Sequence, residues 1–190
     1  MTIRPVIIAP DPRLKTRSFI VENIDDSISE LVQDMFDTMY YERGIGLAAV
    51  QIGVHKRVLI ADVEWRETEN KEAIAGKQHI LINPEIIKSS DENKPYKEGC
   101  LSFPDQFAEV TRPASVLVKY LDLQGKQQEE EFTDLLATCI QHEIDHLNGI
   151  TFVDHISNVK RDMITRKLVK LKKAGAFDHD HVHGEHCNHG

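Results

Sequence analysis

His142 and His146 stand one helical turn apart, and Glu143 directly follows the first of them. An i, i+4 spacing on an α-helix puts both imidazoles on one face, where they can reach a single cation. Glu143 is one residue round from the first ligand position, close enough to take a proton from water without binding the ion itself. A divalent ion brings the pKa of such a water toward neutrality, and the carboxylate collects the proton. His-Glu-x-x-His on a helix therefore reads as metal-assisted hydrolysis. The pattern is short, and it also arises by chance on solvated helix faces. Here residues 135–140, just before it, are almost wholly apolar. The helix reads as buried, and buried ionisable groups need partners.

A catalytic site of this kind needs a third protein ligand and an open position. Cys139 lies on the His142 side of the helix but seven residues from His146, roughly 10 Å along the axis. One ion cannot comfortably hold both, so Cys139 reads as a buried wall residue. A histidine three residues after Gly149 would complete a metzincin pattern, but that position is Phe152. Cys100 is the remaining choice, in Glu98-Gly99-Cys100-Leu101-Ser102 just before the turn expected at Pro104. Taken by itself, a lone cysteine is more often a small buried hydrophobe than a ligand.

These residues need elements to hold them. Residues 25–43 read as a first helix, with Asp25, Asp26 or Ser27 as N-cap and a stripe of Ile28, Leu31, Val32, Met35, Phe36 and Met39. Gly44 and Gly46 stop it. Residues 57–63, 80–87 and 114–123 are β-branched and apolar, so they read as strands. Asp122 to Gly125 reads as a hairpin turn into a weakly patterned strand over 127–132. Residues 64–78 are polar and read as an exposed loop or insertion. A second helix starts near Thr133 or Asp134 and ends at Gly149 as a C′ glycine. A third covers residues 158–174 with Val159, Met163, Leu168 and Leu171. The expected fold class is α+β: mixed or antiparallel strands around a central buried HExxH helix, with helices toward both ends.

Composition bounds the function. With 41% hydrophobic and 28% charged residues over 190 positions, one soluble globular domain is expected, over residues 1–174. The net charge of -8 argues against non-specific nucleic-acid binding by the whole chain. No apolar run is long enough to span a bilayer, and the first residues lack the apolar core of a signal peptide. Three cysteines at unrelated spacings form no disulfide framework, which suits a reducing cytoplasm. Residues 175–190 carry His179, His181, His183, His186, Cys187 and His189 among acidic residues and glycines. Such a stretch cannot pack a core and is expected to be disordered. Its imidazoles invite a metal-buffering role.

Three segments, in order and at appropriate separation, resemble the signature motifs of the peptide deformylases: Gly44-Ile45-Gly46-Leu47-Ala48-Ala49-Val50-Gln51, Glu98-Gly99-Cys100-Leu101-Ser102 and Gln141-His142-Glu143-Ile144-Asp145-His146. The resemblance runs from the N-terminal segment to about residue 174. It implies removal of the N-formyl group from the initiator methionine of nascent chains, with release of formate. Cys100, His142 and His146 would hold one divalent ion, by family habit Fe²⁺, with Ni²⁺, Co²⁺ or Zn²⁺ able to substitute. Glu143 would act as general base and then acid. Gln51 and the backbone N–H of Leu101 would donate to the formyl oxygen, and the backbone of Gly46 would pair with the substrate peptide. Ile45, Leu135 and Cys139 would line the methionine pocket, though simple core packing accounts for them nearly as well.

The chain departs from the family pattern in places. Val50 stands where Thr is common, and Phe107 where many bacterial members have Arg, which bears on preference along the substrate. Residues 64–78 look longer than in compact members. Arg112 is expected to pair with Glu98 and steady the Cys100 loop. The third helix carries Lys160, Arg161, Arg166, Lys167, Lys170, Lys172 and Lys173 against Asp162 alone. It reads either as a solvated face or as a basic arm for the ribosome near the tunnel exit. Two rival functions have different requirements. A zinc endopeptidase would need a downstream His or Glu ligand, and a metal carrier would use the helix histidines for binding only.

Overall fold

A computed structural model describes residues 2–177 of the chain. Against the expected disorder of residues 175–190, residues 175–177 are described, with Phe177 packed against a core cluster; residues 178–190 lie outside the described residues. The first helix, α1 (Asp26–Tyr41), is capped by Asp25, whose carboxylate accepts the Ser27 N–H at 3.0 Å. Its apolar stripe is buried as the spacing predicts. Then follow β1 (Gly46–Ala48), a 3₁₀ turn (Ala49–Ile52) and β2 (Val58–Ala61).

Residues 64–78 are largely exposed but are not a plain loop. They form a small ribbon of β3 (Arg66–Glu67) and β4 (Ala73–Ile74). Trp65 ties this ribbon down by donating its indole N–H to the Gly44 carbonyl at 2.7 Å. The chain continues through β5 (His79–Ser89), β6 (Asn93–Cys100), β7 (Phe103–Pro113), β8 (Ser115–Leu121) and β9 (Gln127–Thr133). It ends in α2 (Asp134–Leu147) and α3 (Asn158–Lys173).

Strands β1-β2-β5-β8-β9 form one antiparallel sheet with β1 at its edge. Alternation along the strands serves two helices. Val58, Ile60 and Ile82 face the α1 cluster, while Leu59, Ala61, Leu81, Val116 and Val118 face the cluster containing Ile140, Ile144 and Leu147 of α2. The sheet is thus covered by α1 on one face and α2 on the other, with α2 central as expected. No helix among the described residues is long and apolar enough to cross a membrane.

The hairpin β6–β7 is the element that periodicity does not reveal. Its strands alternate exposed and partly buried polar residues and include Pro95 and Gly99, so no apolar repeat marks them. A third cluster, with Phe103, Val110, Phe152, Val153 and Leu168, joins this hairpin to the N-terminal segment and α3. Gly149 closes α2 at φ +76°, where a Cβ would lie 2.5 Å from the Lys15 carbonyl oxygen.

Candidate metal centre

Helix α2 divides its residues between two tasks. Ala137, Ile140, Ile144 and Leu147 bury against the sheet. Thr138, Cys139, His142 and Glu143 turn toward a cavity of about 1330 Å³ that also meets β1, the β6–β7 hairpin and the N-terminal segment. His142, Glu143 and His146 are all buried. Burial of three ionisable groups on one helix is costly without partners, and the hairpin supplies them for His142 and His146.

Cys100 is the last residue of β6. Register along the hairpin holds from Asn93↔Pro113 to Gly99↔Phe107 and then shifts, so that Cys100 pairs with Phe103 across a tight turn. The surplus residues bulge out of β7, with Asp105 at φ +56°. The bulge brings the half-buried Cys100 thiol to 3.2 Å from His146 Nε2. One ligand atom each from Cys100, His142 and His146 lies within 4.8 Å of the others. A thiolate and two imidazoles converging in this way are a donor set that fits a divalent transition metal.

Behind these donors runs a line of charges. His142 Nδ1 meets Glu98 Oε2 at 2.9 Å, which leaves its Nε2 for the donor cluster. Glu98 is gripped by Arg112 through Nε at 2.6 Å and Nη2 at 3.1 Å. This is the pair expected from the sequence. Arg112 Nη1 continues to Asp145 at 2.8 Å, and Asp145 meets His155 Nε2 at 2.7 Å. Burial pushes the Glu98 carboxyl up, but hydrogen bonds from His142 and Arg112 outweigh it and hold the group ionised below its usual range. His146 goes the other way. Burial and the neighbouring His142 push it well below an ordinary histidine, so it is neutral, as a ligand must be.

Glu143 is buried beside His142 and His146. Its Oε2 is buried with no hydrogen-bond partner, as is His146 Nδ1. Burial, with Glu98 nearby, raises the Glu143 carboxyl to about 7. Unpartnered buried carboxylate oxygens are rare in folded proteins and call for a charge or a reacting group. Cys139 behaves as the helix-span argument predicts. Its thiol is buried, held protonated by desolvation, and directed at the Ile45 carbonyl at 3.5 Å.

Gln51 reaches the centre from the 3₁₀ turn. Its side-chain oxygen accepts the Ala48 N–H at 2.8 Å, which orients the amide. Its Nε2 then donates to Ser102 Oγ at 3.2 Å and approaches Cys100 Sγ at 3.5 Å. Leu101, the residue after Cys100, lines the same cavity. Gly46 lies in β1, where a Cβ would fall 2.5 Å from Cys139 Sγ and 2.7 Å from Glu143 Oε1. Only glycine allows the edge strand this near the carboxylate. Ile45 and Leu135 are partly exposed at the cavity wall, at 38% and 41%, and Cys139 is its buried part. Of the residues expected as ligands, catalytic groups and pocket wall, all but His146 line the cavity, and His146 meets it through Cys100. Sequence reasoning missed Ser102, Asp145 and His155. Ser102 and Asp145 lie inside the quoted motifs, but nothing in their spacing shows which partners they meet.

A buried glutamate beside a Cys-His-His donor set, in an α+β fold, defines a metal-dependent hydrolase site. The family model for polypeptide deformylases matches residues 3–162. The chain is 53% identical over 174 residues to the peptide deformylase of Agrobacterium fabrum, covering 92% of this chain and 99% of that one. The crystal structure of the peptide deformylase of Ehrlichia chaffeensis superposes with a TM-score of 0.84 at 41% identity, over 92% of this chain and 99% of that one. That enzyme in complex with actinonin gives a TM-score of 0.83 at 42% identity, over 91% and 99%. The chain belongs to the polypeptide deformylase family. It is a metal-dependent enzyme that removes the N-formyl group from the formyl-methionine at the start of nascent polypeptides, releasing formate.

Proposed function

We propose that Cys100, His142 and His146 hold one divalent ion, Fe²⁺ by family habit, and that Glu143 performs the proton transfers of deformylation. The observation that carries this reading is the convergence of the three donors within 4.8 Å beside a buried carboxylate oxygen without a partner. When bound, the ion supplies Lewis acidity, which makes water more acidic and polarises the formyl carbonyl. Glu143, with its carboxyl raised to about 7, can take the water proton near neutral pH and return it to the departing amine nitrogen. Gln51 Nε2 and the Leu101 N–H serve as donors to the oxyanion that develops on the formyl group. The Ala48 hydrogen bond orients the Gln51 amide before substrate arrives.

The substrate peptide lies along β1, the unpaired edge of the sheet, beside Gly46. Its methionine side chain occupies the wall formed by Ile45, Leu135 and Cys139, where an unbranched thioether suits an apolar slot. One catalytic domain over residues 1–174 performs the reaction, in the cytoplasm. Helix α3, with seven basic residues against Asp162, is the proposed contact to the ribosome near the tunnel exit. The ligand assignment is tested by Cys100→Ala, which should bind no stoichiometric metal and release no formate. A Cys100→Ala protein that keeps both would point to a different third ligand.

A further inference from the structure

The C-terminal end of α2 borders a second cavity, of about 720 Å³, that shares no lining residue with the metal cavity. Ile144 and Asn148 line it, and Ile144 stands about 200° round the helix from His142. Deformylation uses no residue on this side.

A bulge opens the cavity. Strand β5 loses its register with β8 between Ile82 and Glu85, where Asn83 takes φ +53° and Pro84 has no N–H to give. The Asn83 side chain clasps the backbone of Val21, accepting its N–H and donating to its carbonyl, each at 2.9 Å. The Ser18 N–H reaches the Leu147 carbonyl and the Phe19 N–H the His55 carbonyl, both at 2.9 Å. The backbone over 18–21 is thus fixed, while the Phe19 and Ile20 side chains stand 70% and 69% exposed at the rim. Apolar groups held in water by an ordered backbone can cover a ligand without a further loss of chain entropy.

The polar side of the cavity is positive. Arg57 donates to the Leu147 and Pro84 carbonyls at 3.3 and 3.2 Å and to the Asn148 amide oxygen at 3.0 Å, none of them a charge. Arg17 is exposed and pairs with no carboxylate among the described residues. Burial, with Arg17 adding to it, pulls the Arg57 guanidinium below its usual range, and Glu85 opposes this. Two guanidiniums against one carboxylate in the lining leave one positive charge unmatched, which suits a monoanion better than a dianion. Ser18 Oγ, also in the lining, is buried without a hydrogen-bond partner, a state that a bound acceptor relieves.

We propose that this cavity binds a small monocarboxylate carrying an apolar chain, with the carboxylate on Arg17 and Arg57 and the chain against Phe19, Ile20 and Ile144. Its volume falls within the range of small-molecule sites. The same chemistry comes in two forms, a free acyl carboxylate and an N-acylated amino acid, so octanoate and N-acetyl-leucine are the probes. Isothermal titration of the metal-loaded full chain with each, and with octanamide and N-acetyl-leucinamide as neutral counterparts, reads affinity and stoichiometry.

At least one carboxylate is expected to bind once per chain, and its amide roughly tenfold more weakly, because a charged hydrogen bond is lost. Binding of octanoate alone marks an acyl site, and of N-acetyl-leucine alone an amino-acid site; either supports the proposal. Arg17 is exposed, so Arg17→Gln should fold, keep kcat for deformylation and lose roughly tenfold in carboxylate affinity. Phe19→Ser, which leaves both backbone hydrogen bonds of that residue in place, should weaken binding as well. No saturable binding of either carboxylate, amides that bind as well as the acids, or inorganic phosphate that binds as tightly would each overturn the proposal. So would carboxylate binding untouched by Arg17→Gln, which would place the ligand at the metal centre instead.

Discussion

Helices α2 and α3 are close in length, 14 and 16 residues, yet they are built on opposite terms. Ten residues of α2 are buried, and five of them are ionisable, amide or thiol side chains: Cys139, Gln141, His142, Glu143 and His146. In α3 only Leu168 is buried, and its many lysines and arginines stand in solvent. Both are rich in polar residues, so polarity does not separate them. Partners do. His142 and Asp145 of α2 are met from other elements, by Glu98 of β6 and Arg112 of β7, while Glu143 keeps a buried oxygen without a partner. A buried charge with an assigned partner holds a reacting geometry, whereas a charge in water contributes little to the fold.

The sharpest way to break this contrast is to remove the partner. Arg112→Met leaves Glu98 buried against His142 without its cation and should cost about 3–5 kcal/mol of stability. Denaturant melts check that figure, and metal content should fall with it. Unchanged metal content and rate would mean that the line of charges does not support the ligands. Next in size, Gln51→Ala should lower kcat by about 10²–10³ as an oxyanion donor is lost. Steady-state kinetics on a formyl-Met peptide measure it, and a change in KM alone would instead make Gln51 a binding residue. Along α3 the contrast predicts very little. Replacing Lys170 and Lys173 by Gln should shift stability by no more than about 0.5 kcal/mol and leave kcat unchanged, while weakening salt-sensitive association with ribosomes in pelleting assays.

A smaller effect sharpens the picture from α1. Tyr40 donates its hydroxyl to buried Asp62 at 2.8 Å. Burial, with Asp62 adding to it, raises the phenol from 10.0 to about 12. The folded state favours the protonated phenol, so its stabilising contribution is complete below pH 10 and is lost as pH rises through about 12. Melting curves across that window should fall more steeply for the natural chain than for Tyr40→Phe. Equal slopes would remove Tyr40 from the account.

Much of this was legible in the sequence, for reasons visible in particular residues. The stripe from Ile28 to Met39, the β-branched runs of β2, β5 and β8, and the His142–His146 spacing follow from the 3.6- and 2-residue periods of helix and strand. The β6–β7 hairpin has no such period, because polar residues, Pro95 and Gly99 interrupt its strands and a bulge shifts the register. Yet that hairpin carries Cys100, Glu98 and Arg112. Elimination and family resemblance reached Cys100, and the Glu98–Arg112 pair was expected, but the extension to Asp145 and His155 was not. Those contacts depend on how a bulged hairpin crosses a helix more than thirty residues away in sequence, and no local pattern encodes that crossing.

The central claim is that α2 places a proton-transferring carboxylate beside a metal held by other residues. The most direct test is formate release from an N-formyl-Met peptide by anaerobically prepared Fe²⁺ protein, with Glu143→Gln measured alongside and metal content determined for both. The natural chain should release formate with one ion bound per chain. The variant should keep that ion and lose on the order of 10²–10⁴ in rate. A Glu143→Gln protein that turns over at the natural rate with its metal in place would contradict the account.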